Sequence, residues 1–277
     1  MENLFLFLFF TLITSVPFLY RFIRIGEIGW FVNRRSNSKI DKKYKDAEKL
    51  RIFQVVLGAI FFVIHGAVCL GLYNILTFLA ITFIVSLILE IIGSKKGYIF
   101  GGKYHYNKEN TPGYLIFGVP ILIPVAWFGI IYMCSNFCIY LTEINFPFET
   151  LPNYYFILLT AVFVMFLDLV LDPLAVDEKR WSWEYPGIYY GVPFFNFIGW
   201  LMVPISVLLI FHQFSKELDS YIHSFSALFH YSPSILFITL PIIASRPCFE
   251  RGLIIPGYFG VITSLAYLLI GIGKYCK

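Results

Sequence analysis

The chain has 277 residues, of which 58% are hydrophobic and 14% charged, and its mean hydropathy is +0.75. Soluble domains carry roughly 45–50% apolar and about 25% charged residues, so a water-soluble globule is excluded and lipid is the solvent that absorbs the excess. The net charge of +4 is compatible with contact to anionic membrane lipids and requires no nucleic-acid partner.

A hydrocarbon core about 30 Å thick is crossed by roughly 20 apolar residues in helical form. Runs of this kind fall at 4–20, 52–72, 75–92, 114–140, 154–171, 192–211, 227–245 and 252–273. They predict an all-α polytopic bundle of about eight transmembrane helices in one membrane domain over 1–277. The opening MENLFLFLFF lacks a basic leader and a small-residue cleavage site, so it reads as a retained first helix. Pro120 and Pro124 in the fourth run predict a kink or strong tilt. The seventh run is the weakest, because His230 and Pro233 interrupt its start and Pro241 its end; without it there are seven crossings. Cys69, Cys134, Cys138, Cys248 and Cys276 show neither metal nor disulfide spacing and read as small apolar side chains.

With eight spans the loops alternate sides. Segment 21–51 holds ten Lys and Arg, including Arg34, Arg35, Lys39, Lys42, Lys43 and Lys45; 93–113 holds four, and 173–191 and 246–251 two each. Eighteen of the 21 basic residues thus share one side, which the positive-inside rule assigns to the cytoplasm, leaving both termini outside.

Ionisable groups within spans are costly and mark functional candidates. Glu90 lies at the cytoplasmic end of the third span, and Asp168 and Asp172, in FLDLVLDP, at that end of the fifth. Their spacing of four places both aspartates on one helix face. Pro173 disfavours helical geometry at the residue before it, predicting that the helix ends at Asp172. Two aromatic, glycine-rich loops flank these acids: GYIFGGKYHY at 97–106, with Tyr104, His105 and Tyr106, and WSWEYPGIYYGVPFFNFIGW at 181–200, with Trp181, Trp183, Tyr189, Tyr190, Asn196 and Trp200. Such aromatics also form ordinary interfacial belts, and Asn196 reads equally as an interhelical hydrogen bond.

At these residues the sequence resembles the carotenoid-biosynthesis membrane family that includes the carotenoid 1,2-hydratases, among them hydratases of the bisanhydrobacterioruberin type. The resemblance is carried in order by Glu90 to Gly93, the 97–106 loop, Gly118-Val119-Pro120 with Pro124 and Trp127, Asp168 to Pro173, Trp181-Ser182-Trp183, and Gly191 through Asn196 to Trp200. It covers about 88–200. Ile99 stands where proline is common, and Gly101-Gly102 adds a residue before the tyrosines. The rest of the chain matches in hydropathy alone.

The resemblance implies addition of water to a terminal double bond of an acyclic carotenoid or related isoprenoid, giving a tertiary alcohol without a metal or redox cofactor. Such chemistry needs a proton donor, an apolar pocket that tolerates a cation, and a positioned water. A carboxylic acid in a lipid-like site favours its neutral, proton-bearing form, and a second carboxyl beside it reinforces this. Asp168, one turn deeper, is expected to be the acid and Asp172 its ionised neighbour. Tyr104, Tyr106, Trp181, Trp183 and Tyr190 are expected to line the pocket, where each desolvated ring face stabilises a cation by up to about 2 kcal/mol. Glu90 is expected to orient water or take its proton, with Asn196 holding the same water.

Three other classes remain at this point. A metal-dependent oxygenase needs a histidine cluster near the acids, yet only His105 falls on that side; His65, His212, His223 and His230 fall toward the other. A prenyltransferase needs carboxylates from two helices to hold magnesium and diphosphate, and no second aspartate-rich motif accompanies Asp168 and Asp172. A non-catalytic lipid transporter or binding protein suits broken spans and buried acids, but the polar groups gather at one face and no repeat is visible. Topology reporters fused at residues 40, 105 and 180 are expected to report cytoplasm, and fusions at 147 and 220 the outside. An outside signal at 105 or 180 would separate the acids from the basic side.

Overall fold

The computed structural model describes residues 2–20, 44–108, 110–111, 113–144, 146–147, 151–216 and 225–276. Arg34, Arg35, Lys39, Lys42, Lys43 and His223 lie outside the described residues. Eight helices among the described residues are long and apolar enough to cross a membrane. They are α1 (Glu2–Thr14, continued by a π-helical turn Ser15–Tyr20), α2 (Tyr44–Cys69), α3 (Leu72–Lys96), α4 (Leu122–Thr142), α5 (Tyr154–Asp177), α6 (Phe194–Phe214), α7 (Ala227–Glu250) and α8 (Ile254–Tyr275). The protein is an all-α polytopic bundle. The helices alternate in direction, so the C-terminal ends of α3, α5 and α7 meet the N-terminal ends of α2, α4, α6 and α8 at one end, here called the site end.

The core is aromatic. Phe78, Phe128, Tyr132, Phe156 and Phe211 are nearly fully buried, and Phe78 meets Phe128, Tyr132 and Phe211 in tilted and edge-on ring pairs. The outer faces carry exposed Leu, Ile and Phe, such as Phe7, Ile84 and Leu269. Lipid replaces water around such faces, so their exposure costs nothing.

A proline kink in the fourth span and a helix end at Asp172 are both absent, each for a local reason. The fourth span begins at Leu122, not 114, because 115–120 folds into a two-residue hairpin, β2 (Leu115–Ile116) against β3 (Val119–Pro120). Pro120 therefore lies outside the helix. Pro124 lies in its first turn, where amide N–H groups have no intrahelical acceptor to lose, so neither proline interrupts the ladder. The fifth span does not stop at Asp172 but runs through Pro173 to Asp177. Pro173 has no N–H for the Leu169 carbonyl, and the Tyr189 hydroxyl donates to that carbonyl instead, at 2.9 Å. A freed carbonyl inside a bundle is tolerated when a neighbouring side chain satisfies it.

The seventh span is one continuous helix, Ala227–Glu250, despite Pro233, Pro241 and Pro247. Ser232 Oγ donates to the Phe229 carbonyl that Pro233 leaves open, at 2.7 Å. Near Pro241, Ser264 Oγ of α8 accepts from Ile242 N–H at 3.0 Å and donates to the Ile238 carbonyl at 2.7 Å. A hydroxyl from the next helix thus stands in the gap of the ladder.

Tyr189→Phe is expected to lower stability by about 0.5–1.5 kcal/mol, the net worth of one hydrogen bond, measured by thermal unfolding in detergent. Pro173→Ala restores the missing N–H, so in that background the same change should cost little. An equal loss in both backgrounds would show that Tyr189 stabilises through packing alone.

Candidate active site

The loops at the site end are held by strands that hydropathy does not reveal. β1 (Tyr104–Tyr106) pairs antiparallel with β4 (Trp181–Trp183), with Tyr104 opposite Trp183 and Tyr106 opposite Trp181. Alternate residues of a strand share a face, so all four aromatic rings point into the bundle while His105 and Ser182 form the other face. Cross-strand ring centroids lie 5.6 Å (Tyr104–Trp183) and 5.7 Å (Tyr106–Trp181) apart, within range of direct ring contact.

Phe100 anchors this ribbon to the helices. Its ring is wedged between Gly93 of α3 and Gly199 of α6, where an added Cβ would come within 2.4 Å of it at either glycine. Its carbonyl accepts from Trp183 Nε1 at 2.8 Å. Gly97, left-handed at φ 77°, caps α3 and turns the chain into the loop.

The aromatic face closes over Glu90, which is 5% exposed. Trp127 Nε1 donates to Glu90 Oε1 at 2.9 Å and the Tyr106 hydroxyl to Oε2 at 2.8 Å. The Tyr104 hydroxyl also donates to Oε2. The three donors come from the β1 loop and α4, and together they present Glu90 as an acceptor. Burial, together with the neighbouring Glu90 carboxylate, pushes both phenols well above the usual tyrosine range. They therefore remain donors at any physiological pH.

Asp168 and Asp172 form the second acidic centre. Both are buried, and Asn196 Nδ2 reaches Asp168 Oδ2 at 2.7 Å and Asp172 Oδ2 at 2.6 Å. One amide thereby ties two turns of α5 to the start of α6.

Between the two centres lies a cavity of about 230 Å³. Its polar wall includes Glu90, Asp172, Asn196 and Thr111, and Trp127, Trp181, Trp183, Trp200, Tyr104 and Tyr106 supply aromatic surface. The rings of Trp127 and Trp200 stand 4.3 Å apart, inclined at 42°. Arg51 and Arg180 reach the cavity at its rim, where they pair with the buried Glu178, as does Arg251 at 3.4 Å.

The expected site residues converge with two exceptions. Asp168 does not line the cavity, since it lies one turn deeper, behind Asp172. Tyr190 is directed away: its hydroxyl accepts from Ile255 N–H at 3.3 Å, at the start of α8. The expectation that the helix ends at Asp172 also fails, because the helix continues past it, and Asp172 is 3% exposed. Trp127, Trp200, Thr111 and the Arg–Glu178 cluster were not among the residues expected to line the pocket, although Trp200 belongs to the second aromatic loop. Trp127 was readable only as part of the motif following Pro124. The aromatic–polar–aromatic triplets YHY and WSW carry the period-two signal of the strands. Of the histidines, His105 is exposed and stands 3.4 Å from Glu184, while His65, His212 and His230 line a separate hollow at the opposite end. Among the described residues no three His, Cys, Asp or Glu side chains converge as a metal site.

The sequence pattern of the carotenoid biosynthesis protein family matches residues 51–266. The chain belongs to that family. The match extends on both sides of the 88–200 stretch that carries the motifs and takes in every helix that lines the cavity. A bisanhydrobacterioruberin hydratase of Haloarcula japonica is 32% identical over 123 residues, covering 44% of this chain and 40% of the relative. The similarity therefore spans less than half of that hydratase. No solved structure matches the chain. Within the carotenoid biosynthesis family, this member gathers Glu90, Asp172, Tyr104, Tyr106 and four of its five tryptophans around one cavity at one end of the bundle.

Proposed function

We propose that this member of the family hydrates a terminal double bond of an acyclic carotenoid or related isoprenoid. The observation that carries the reading is the cavity itself, in which two acidic centres of different construction face an aromatic, apolar space. The similarity to the Haloarcula hydratase supports it. The positive-inside bias supports a cytoplasmic placement of the site end.

Two carboxyls bridged by one amide in an apolar site cannot both carry charge cheaply, so the Asp168–Asp172 pair is suited to store a proton. Asp172 lines the cavity and Asp168 does not, which supports Asp172 as the group that touches substrate. Transfer of its proton to the less substituted alkene carbon leaves a tertiary cation beside the Asp172 carboxylate, so no net charge is created. The Trp127, Trp200 and Trp181 rings can face that cation, with up to about 2 kcal/mol from each desolvated ring. Asn196 holds the Asp172 anion through a hydrogen bond.

Water then adds to the cation and gives up a proton. Glu90, fixed as an acceptor by Tyr104, Tyr106 and Trp127, is placed to orient that water and take its proton. Return of this proton to Asp172 resets the site. One water is consumed for each double bond, and no electrons are exchanged.

Expression in a bacterial host that accumulates lycopene, followed by mass analysis of the pigments, tests this reading. The expected product carries one added water per modified end. Asp172→Asn should reduce turnover by at least about 10²-fold, the lower range for loss of a general acid. Asp168→Asn should keep part of the activity with a shifted pH profile, since it removes the carboxyl beside Asp172 and leaves the residue that lines the cavity in place. Membrane levels of both variants must match wild type. Near-normal hydration by Asp172→Asn would reject this assignment.

A further inference from the structure

The proposed hydration leaves a proton on Glu90 and needs it back on Asp172, and the cavity between them has little space for water. A water molecule takes roughly 30 Å³ in the liquid, so a cavity of about 230 Å³ that holds the end of a polyene has room for few. Arginine and tryptophan side chains only donate, and an amide donates and accepts at different atoms. A proton therefore passes along this wall by way of a hydroxyl, which accepts at the same atom from which it donates.

Among the described residues, three hydroxyl groups line the cavity, those of Thr111, Tyr104 and Tyr106. Thr111 Oγ1 is turned to the backbone, where the carbonyls of Asn107 at 2.7 Å and Arg180 at 2.9 Å accept from it. The Tyr104 hydroxyl is enclosed by Glu90, meeting Oε2 and, at 3.3 Å, the Glu90 carbonyl. Tyr106 differs. Its hydroxyl donates to Glu90 Oε2 at 2.8 Å, and Asp172 joins burial and Glu90 in pushing its phenol upward. The larger influences on Tyr104 are burial, Glu90 and Tyr106. Trp181, the cross-strand partner of Tyr106, brings its indole beside the same Asp172 carboxyl. One rung of the ribbon thus lies against both acidic centres.

The donors around Glu90 also dictate where a new proton can sit. Trp127 Nε1 holds Oε1 at 2.9 Å and can only donate. The proton taken from water therefore falls to Oε2, where both partners are hydroxyls. One hydroxyl must then turn from donor to acceptor, which frees its own hydrogen for another acceptor. For Tyr106 that acceptor is the Asp172 carboxylate.

We propose that Tyr106 is the proton relay that returns the hydration proton from Glu90 to Asp172. The Glu90 O–H bond breaks as its hydrogen passes to the Tyr106 oxygen. The Tyr106 O–H bond breaks as its hydrogen passes to an Asp172 oxygen, directly or over one cavity water. The negative charge moves from Asp172 to Glu90, the tyrosine ends neutral as it began, and no electrons are exchanged. A phenol held far from ionisation suits this role, because it does not keep the charge. The relay rests on the hydration reading and adds to it a residue that acts after water has added.

The test uses the full-length protein in lipid vesicles and separates the first turnover of lycopene from those that follow. With protein in excess, each site acts once on the proton already stored at Asp172. With lycopene in excess, every further turnover needs that proton returned. Proton transfer through a positioned side chain is worth about 10²–10⁴-fold. Tyr106→Phe, which removes one oxygen and keeps the ring, should therefore lose at least about 10²-fold in the steady state and less than about tenfold in the first turnover. Its ratio of first to later turnover should rise at least about tenfold over wild type. Tyr104→Phe loosens Glu90 without breaking the relay, so its two rates should fall by the same factor. Tyr98→Phe, at an exposed tyrosine of the same loop, should match wild type in both. An unchanged ratio in Tyr106→Phe, whether both rates hold or fall together, would overturn the relay and leave hydration standing. Absence of added water in wild type would reject the hydration reading and the relay with it.

Discussion

A carboxyl group buried in a helix bundle costs several kcal/mol unless its oxygens are satisfied, and the way Glu90 meets that requirement organises the site end. Its oxygens accept from Trp127 on α4 and from Tyr104 and Tyr106 on the β1 loop. No single segment supplies all three donors. The carboxyl of α3 therefore fixes the start of α4 and the face of the β1–β4 ribbon at the same time. The ribbon in turn brings Trp181 and Trp183 over the cavity, and Phe100, between two glycines, locks the loop to α3 and α6.

The second acidic centre is built on the opposite principle. Glu90 receives more donors than any one helix could offer, whereas Asp168 and Asp172 share the single amide of Asn196. A carboxyl rich in donors is suited to remain an acceptor, and a pair of carboxyls with few donors is suited to hold a proton. Two environments of different donor content on either side of one cavity are suited to the separate acid and base roles that the proposed hydration requires, as in other paired-carboxyl sites. α5 continues past Asp172 through Pro173, and the Tyr189 hydroxyl satisfies the Leu169 carbonyl that Pro173 leaves open. A residue of the second loop thus supports the helix that carries the acids.

Much of this was legible in the sequence, for physical reasons that can be named. Long apolar runs and their basic flanks give the eight helices, because lipid imposes length and composition on each span. Charge in an apolar run singles out Glu90, Asp168 and Asp172, because it is too costly to be incidental. Compensation by distant partners was not legible. Pro173 and Pro241 are breakers by local rules, yet α5 and α7 continue past them with the Tyr189 and Ser264 hydroxyls bonded to the backbone groups nearby. Tyr190 follows Tyr189 in the same aromatic loop, yet it turns to α8 while Tyr189 turns to α5. Asp168 and Asp172 share a helix face, but the cavity reaches only the shallower one. Side-chain direction at this level is set by tertiary packing, and one-dimensional spacing does not carry it.

The central claim is that water, and not oxygen or a transferred group, supplies the new substituent on the polyene. Purified protein in vesicles, supplied with lycopene in water labelled with heavy oxygen and separately in deuterium oxide, addresses it directly. The account predicts a tertiary alcohol whose oxygen comes from water, with one non-exchangeable deuterium on the adjacent carbon for each modified end, both absent in Asp172→Asn. A product whose oxygen derives from dioxygen, or one lacking the carbon-bound deuterium, would contradict it.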